Sequence, residues 1–331
     1  MKLNPKHLLA TLMLAIPLAL ASMSSLAVER VTLKLAHNLD SNHVVHRALA
    51  QMAKDINEAS GGKMKLRIYP SGQMGGPRET LELIQNGALD MTKASASEME
   101  TFQPAYSIFS LPYVFKDSAH FEKVIYGPVG RELMNETKDI GFTAIAAYVA
   151  GTRSFYAKKE IHSPADMKGL KIRVVATPTT IKLIELLGAA PAPIPFGEVY
   201  TALQQGVIDG AENNEPSYVQ TRHVEVAKYY IEDQHTSVPD FLVVSTSTWN
   251  KLDDEQKQII IDAARKSEKY EHELWDQVVL ESRERAEQTG ATFIQVDKAA
   301  FREALAPLYD DFRADPVKAE WLAKIEAAAG E

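Results

Sequence analysis

The chain has 331 residues, 45% of them hydrophobic and 24% charged, with 36 Lys and Arg against 44 Asp and Glu and no Cys. This composition excludes a membrane bundle and a low-hydrophobicity disordered polymer, and the net charge of −8 argues against nucleic acid as the main partner. The absence of Cys removes thiol catalysis, disulfides, iron–sulfur clusters and Cys-ligated zinc, and the length suits about two domains.

The elements begin with a segment of a different kind. Lys2, Lys6 and His7 precede an apolar run from Leu8 to Ala21, and Ser25-Leu-Ala27 places small residues before a cut at Val28. Residues 1–27 therefore read as a secretory signal peptide, with an uncleaved anchor as the alternative. No Cys follows the apolar run, which excludes a lipoprotein anchor. Removing the segment takes away two Lys and no acid, leaving 34 bases against 44 acids and a net charge of −10.

The mature chain alternates strands and helices. Val31 to Ala36 and Met64 to Tyr69 alternate apolar and polar residues as strands do, and His46 to Ser60 between them carries Leu49, Met52, Ala53 and Ile56 at helical spacing. Pro77 to Asn86 reads as a helix with Pro at its start and Gly87 past its end, and Leu89 to Thr92 as a short strand. This β-α-β-α-β order implies parallel pairing in a doubly wound α/β sheet, with ligands outside the carboxyl ends of the strands. The residues at those ends are His37 and Asn38, the loop before Glu79, and Lys93 to Ser97.

The pattern continues with strands at Phe142 to Ala150, Thr152 to Ala157, Gly169 to Val175, Ile208 to Ala211 and Phe241 to Ser245, and helices at Thr179 to Leu187 and Glu198 to Gln205. From Asp253 to Thr289 there is no Gly or Pro, which predicts one helix about 54 Å long lying across two domains, or else two helices with an unseen break. Lys298 to Ala328 is helical but carries Pro307 and Pro316, at which breaks are expected.

No common catalytic signature is present. His37, His43 and His46 match no standard metal spacing, and solvated or capping roles suit them better. The informative residues are cations in apolar surroundings. Arg173 lies between Ile172 and Val174, where a guanidinium costs free energy unless it is paired, either with a protein carboxylate or with a ligand. Arg153 follows Gly151-Thr152 at a strand start, and Lys93 follows the strand ending at Thr92. These three could converge on an anion, and Arg meets a carboxylate with two parallel donors. Glu212-Asn213-Asn214 follows another strand end; its amides suit hydroxyl groups, or the segment is a turn.

At this point the sequence resembles the extracytoplasmic substrate-binding proteins of tripartite ATP-independent periplasmic (TRAP) transporters. The resemblance is carried by Tyr69-Pro-Ser-Gly-Gln-Met-Gly75, Gly87-Ala-Leu-Asp90, Leu111-Pro-Tyr113, Gly151-Thr-Arg153, Asp166-Met-Lys-Gly-Leu-Lys-Ile-Arg-Val174, Pro195-Phe-Gly-Glu-Val-Tyr200, Ala202-Leu-Gln204 and Gly206-Val-Ile-Asp-Gly210 with Glu212-Asn213. It implies two α/β domains in a periplasmic binding-protein (Venus flytrap) architecture, with a long helix spanning both. The domains would be discontinuous: 28–150 with 239–278, and 151–238 with 279–331. It also implies that Arg173 clamps the ligand carboxylate, Arg153 contacts it too, Phe196 packs on the ligand and Asn213 makes a polar contact. The family's Gln-Glu-Asn-Pro pattern departs here, with Ala211 for Gln and Asn214 for Pro, which makes Asn214 a further hydrogen-bonding candidate. Tyr218 would close the same side.

The mechanism expected is hinge closure, with Arg153, Arg173, Phe196, Asn213 and Asn214 on one side and His37, Asn38, Glu79, Lys93 and Ser95 on the other. The expected ligand is a hexuronate such as glucuronate or galacturonate. A small dicarboxylate is the alternative, since Lys93 and Arg153 leave room for a second carboxylate. The chain is expected to be a periplasmic monomer without cofactor or metal, working with the membrane permease subunits of a TRAP system. A periplasmic enzyme using Glu79, Lys93 or His37, or a sensory module, would be the reading from another class.

Overall fold

The computed structural model describes residues 29–330, so the signal-peptide reading of residues 1–27 lies outside the described residues. Among the described residues, eleven strands form two sheets. They are β1 Val31–Ala36, β2 Met64–Tyr69, β3 Met91–Ser95, β4 Phe142–Tyr148, β5 Arg153–Ala157, β6 Lys171–Val174, β7 Ala190–Pro193, β8 Gly210–Asn213, β9 Tyr229–Thr236, β10 Asp240–Ser245 and β11 Thr292–Ile294. The first sheet runs β2-β1-β3-β10-β4 and the second β11-β9-β5-β8-β6-β7.

Each sheet is parallel apart from one strand. In the first, β1 is parallel to β2 and β3, while β10 is antiparallel to both its neighbours. In the second, β5 is antiparallel to β8 and β9. The exception to the expected parallel pairing has a topological cause. Residues 149–152 carry the chain from β4 in the first sheet to β5 in the second, and residues 237–239 carry it back from β9 to β10. A strand that arrives directly from the other sheet, with no crossover helix, enters from the opposite end. The two crossings lie side by side, because β4 neighbours β10 and β5 neighbours β9.

Asp254–Gln288 is one unbroken helix of 35 residues. Asp253 caps it in a reciprocal box with Gln256, and its buried face steps through Ile260, Ala263, Ala264, Ser267, Glu271, Trp275, Val278, Ser282 and Ala286. It packs on helix Val44–Ala59 and β4 of the first sheet and on helix Glu215–Gln220 beside the second. Tyr270 and Leu274, which share the helical spacing, are only half-buried.

The C-terminal region corrects one expectation. Pro316 starts a new helix, Pro316–Ala328, as anticipated, but Pro307 sits inside helix Lys298–Ala314. Pro307 is on the exposed face, as is Glu303, whose carbonyl loses its partner and can be hydrated. Phe301, Leu305, Leu308 and Phe312 are buried on both sides of the proline and hold the helix together.

Candidate ligand-binding site

A cleft between the two sheets is lined by Asn38, His43, Lys93, Ser95, Glu98 and Asp240 from the side of the first sheet. Arg153, Arg173, Val175, Phe196, Asn213, Asn214 and Ser217 line it from the side of the second, with Ala150, Val238 and Trp275 at the crossings and the long helix. The first-sheet wall comes from the carboxyl ends of β1 and β3 and from the start of the antiparallel β10, where Asp240 is in register with Ser95.

Arg173 stands in the middle of β6 and is 4% exposed. Its Nε donates to the carbonyl of Ile194 at 2.8 Å, and its guanidinium carbon lies 5.6 Å from the centre of the Phe196 ring. Nη1 and Nη2 make no hydrogen bond among the described residues. Burial pushes its pKa below the ordinary arginine value, opposed by the charge of Glu212.

Arg153 differs. It donates from Nε to Glu212 Oε2 at 2.5 Å, from Nη2 to Glu212 Oε1 at 2.9 Å and to the Glu212 carbonyl at 3.1 Å, and from Nη1 to Asn213 Oδ1 at 3.0 Å. Behind this pair, His235 Nε2 lies 3.8 Å from Glu212 Oε2, while its Nδ1 lies 2.7 Å from Asp233 Oδ2 and its ring stacks on Phe155 at 4.4 Å. Burial alone would lower the His235 pKa, but Asp233 and Glu212 overcome it and raise it to about 9. Burial alone would raise the Glu212 pKa, but Arg153 and His235 bring it down to about 2. The four groups thus form two matched charge pairs.

Lys93, which lies within β3 rather than after it, is also matched, with Nζ 3.1 Å from Asp240 Oδ1. Ser95 caps the short helix Ala96–Met99: its hydroxyl accepts from the Glu98 N–H at 3.3 Å, and its own N–H donates to Glu98 Oε2 at 2.8 Å. Asn213 spends Oδ1 on Arg153 and on the Asn214 N–H, which leaves its amide nitrogen without a partner among the described residues. Asn214 caps helix Glu215–Gln220 through Oδ1 and ties it to the crossing by donating from Nδ2 to the Ala150 carbonyl at 2.9 Å.

Three anticipated residues lie elsewhere. Glu79 is exposed at the start of helix Pro77–Gln85, because β2 is the outer strand of its sheet and the loop after it leads away from the cleft. His37 lies behind the cleft wall, its Nδ1 accepting from the Leu39 N–H and its Nε2 facing His46 Nδ1 at 2.9 Å. Tyr218 is fully buried among Tyr156 and Tyr230 and donates to the Ala227 carbonyl. Conversely, Glu212, Glu98, Asp240, His43, Ser217 and Trp275 belong to the site or its support and were not among the expected contacts. The tandem Glu212-Asn213-Asn214 was the available signal for Glu212; Asp240 is 147 residues from Lys93, and spacing gave none.

A larger cavity of about 650 Å³ borders the same crossings. Its walls mix cations such as Lys298 and Arg302 with acids such as Asp117, Glu215 and Asp276, and His272 already faces Glu122 at 3.3 Å. It has no buried, unmatched cation to compare with Arg173.

Comparison with known proteins agrees with this architecture. The family model for bacterial extracellular solute-binding proteins of family 7 matches residues 35–315. The protein YiiZ of Salmonella typhimurium is 39% identical over 300 residues, covering 90% of this chain and 91% of its own. A TRAP periplasmic solute-binding protein from Xanthobacter autotrophicus, solved with bound β-D-galacturonate, is 36% identical at a TM-score of 0.87, over 89% of this chain and 99% of its own. One from Anaerococcus prevotii, solved with bound D-glucuronate, is 34% identical at a TM-score of 0.88, over 90% and 98%. With the Arg173 strand, the long helix and both sheets in place, the chain belongs to family 7 of the bacterial extracellular solute-binding proteins, the solute-binding proteins of TRAP transporters.

Proposed function

We propose that this protein captures a hexuronate, such as D-glucuronate or D-galacturonate, holds its carboxylate on Arg173, and delivers it to the membrane subunits of a TRAP transporter without altering it. The observation that carries the substrate class is the charge balance of the cleft. Lys93 is matched by Asp240 and Arg153 by Glu212, so Arg173 is the cation left for a ligand. One unmatched guanidinium suits one carboxylate. A second carboxylate would find its prospective cations already paired and would meet Glu98 and Asp240. Those acceptors, with the amide of Asn213, suit hydroxyl groups instead. The bound uronates in the solved relatives support the same choice over a small dicarboxylate.

In this reading the protein works as a monomer in the periplasm, exported by residues 1–27. Its two moving bodies are residues 28–150 with 239–278 and 151–238 with 279–331. A ligand touching both walls favours the closed form only by its extra affinity for that form. Arg173→Ala is expected to cost about 2–5 kcal/mol of hexuronate binding, because it strands a buried carboxylate. Calorimetry showing unchanged affinity in that variant contradicts the clamp.

A further inference from the structure

We propose that His43 is a specificity-determining contact of the cleft, donating from Nε2–H to a ring hydroxyl of the bound acid, with Asn38 Oδ1 on the same wall accepting from a ring hydroxyl. The inference rests on the hexuronate reading above and deepens it.

His43 precedes helix Val44–Ala59 as its N-cap, and the Val45 N–H donates to His43 Nδ1 at 3.3 Å. Nδ1 is therefore the unprotonated nitrogen, and the neutral ring carries its proton on Nε2. Burial pushes the imidazole down to about 4, helped by Lys93 and opposed by Asp240 and Asp40, so near neutral pH the ring is an uncharged donor. Nε2 is buried and has no hydrogen-bond partner among the described residues, in a residue only 4% exposed that lines the cleft. Asn38 Oδ1 is in the same position: buried, unpartnered and on the same wall.

A buried donor and a buried acceptor left unmet destabilise the cleft, and the penalty disappears when ligand groups able both to accept and to donate meet them. Hydroxyls do that. A carboxylate would satisfy Nε2 but not Oδ1, and it would face Asp240. Asn38 follows β1 of the first sheet, and Arg173 lies in β6 of the second. The hydroxyl that meets His43 is therefore on the part of the sugar away from its carboxylate, and a ligand spanning the two ties the walls together.

The test is calorimetry of D-glucuronate binding to the wild type, His43→Asn and Asn38→Ala, with melting temperatures measured without ligand. Asn keeps a capping oxygen for the helix but does not reach as the imidazole does. The expected result is a loss of affinity of roughly 10- to 100-fold in His43→Asn with little change in the ligand-free melting temperature, whereas a merely structural role would move both. Asn38→Ala, which leaves the cap intact, is expected to weaken binding as well. Undiminished affinity in His43→Asn overturns the proposal. So does a hexuronate complex of the wild type in which no ligand hydroxyl lies within hydrogen-bond distance of Nε2. If the wild type binds no hexuronate, the reading of the substrate itself fails, and the hydroxyl contact with it.

Discussion

A guanidinium taken out of water is stabilised only as far as its donors meet acceptors, and the two buried arginines differ in this. Arg153 is held by Glu212 and Asn213 through four hydrogen bonds, so it shapes the floor of the cleft; Arg173 gives one to Ile194 and keeps the rest of its fork for a ligand. Removing half of the Arg153 pair is expected to be expensive. Glu212→Gln leaves Arg153 and His235 as neighbouring buried cations, and about 3 kcal/mol or more of stability should be lost in urea unfolding; a change within error contradicts the pairing. The same cluster has a pH signature. His235 titrates near 9 in the folded protein and 6.5 is its ordinary value. Its stabilising contribution is therefore complete below about 6.5 and disappears as pH rises through about 9. Wild-type stability should fall between pH 7 and 10, and His235→Gln should flatten that fall; equal slopes refute the assignment. Arg173 was legible in the sequence because a charge stands between two apolar strand residues. The neutralisation of Arg153 was not, since Glu212 is 59 residues away and reaches it only through the register of β5 and β8.

Among the elements, the long helix does more than span the sheets. β4 is an edge strand, and the N–H groups of its Ala147 and of Val149 just after it would otherwise be unpaired. Glu268 accepts from Ala147 at 2.6 Å and Glu271 from Val149 at 3.2 Å, while Ser267 meets the Tyr148 hydroxyl at 2.8 Å. The helix is thereby fastened to the end of β4 and the start of the first crossing. Burial raises both carboxyl pKa values, Glu268 to about 7 and Glu271 well above its ordinary range. A raised carboxyl pKa contributes stability that is full below about 4.5 and lost as pH rises through about 7 for Glu268. Glu268→Gln keeps the acceptor for Ala147 without the charge. It should be more stable than the wild type by ~1–2 kcal/mol at pH 8 and nearly equal at pH 4.5, read from melting temperatures; a difference independent of pH contradicts this account. Gly151, in the crossing itself, has φ of +56°, and a Cβ there would lie 3.0 Å from the Trp275 ring. Gly151→Ala is expected to destabilise the protein by about 1 kcal/mol or more and to weaken ligand binding.

The helix itself was readable from the absence of Gly and Pro between Asp253 and Thr289. Its buried face was only partly so, because Ser267 and Glu271 are polar residues placed inside by their bonds to Tyr148 and Val149. Strands with strict alternation, such as β1 and β2, were placed to the residue. β9 and β11, and the helices between Ser97 and Gly141, had no comparable periodicity and were missed.

On the scale of the whole molecule, the two sheets exchange one strand each, and this places two crossings and one long helix between them. The overall charge of −8 says little about the ligand, because the informative quantity is the local balance: Lys93, Arg153 and Arg173 line the cleft, and two of the three are already matched. The most direct test of that balance is calorimetry of the wild type with D-glucuronate or D-galacturonate, repeated in a large excess of malate or succinate. One-to-one binding of the hexuronate that the dicarboxylates do not suppress is the predicted result. Tight dicarboxylate binding that displaces the sugar acid would contradict it, since a second cation would then have to be free in the cleft.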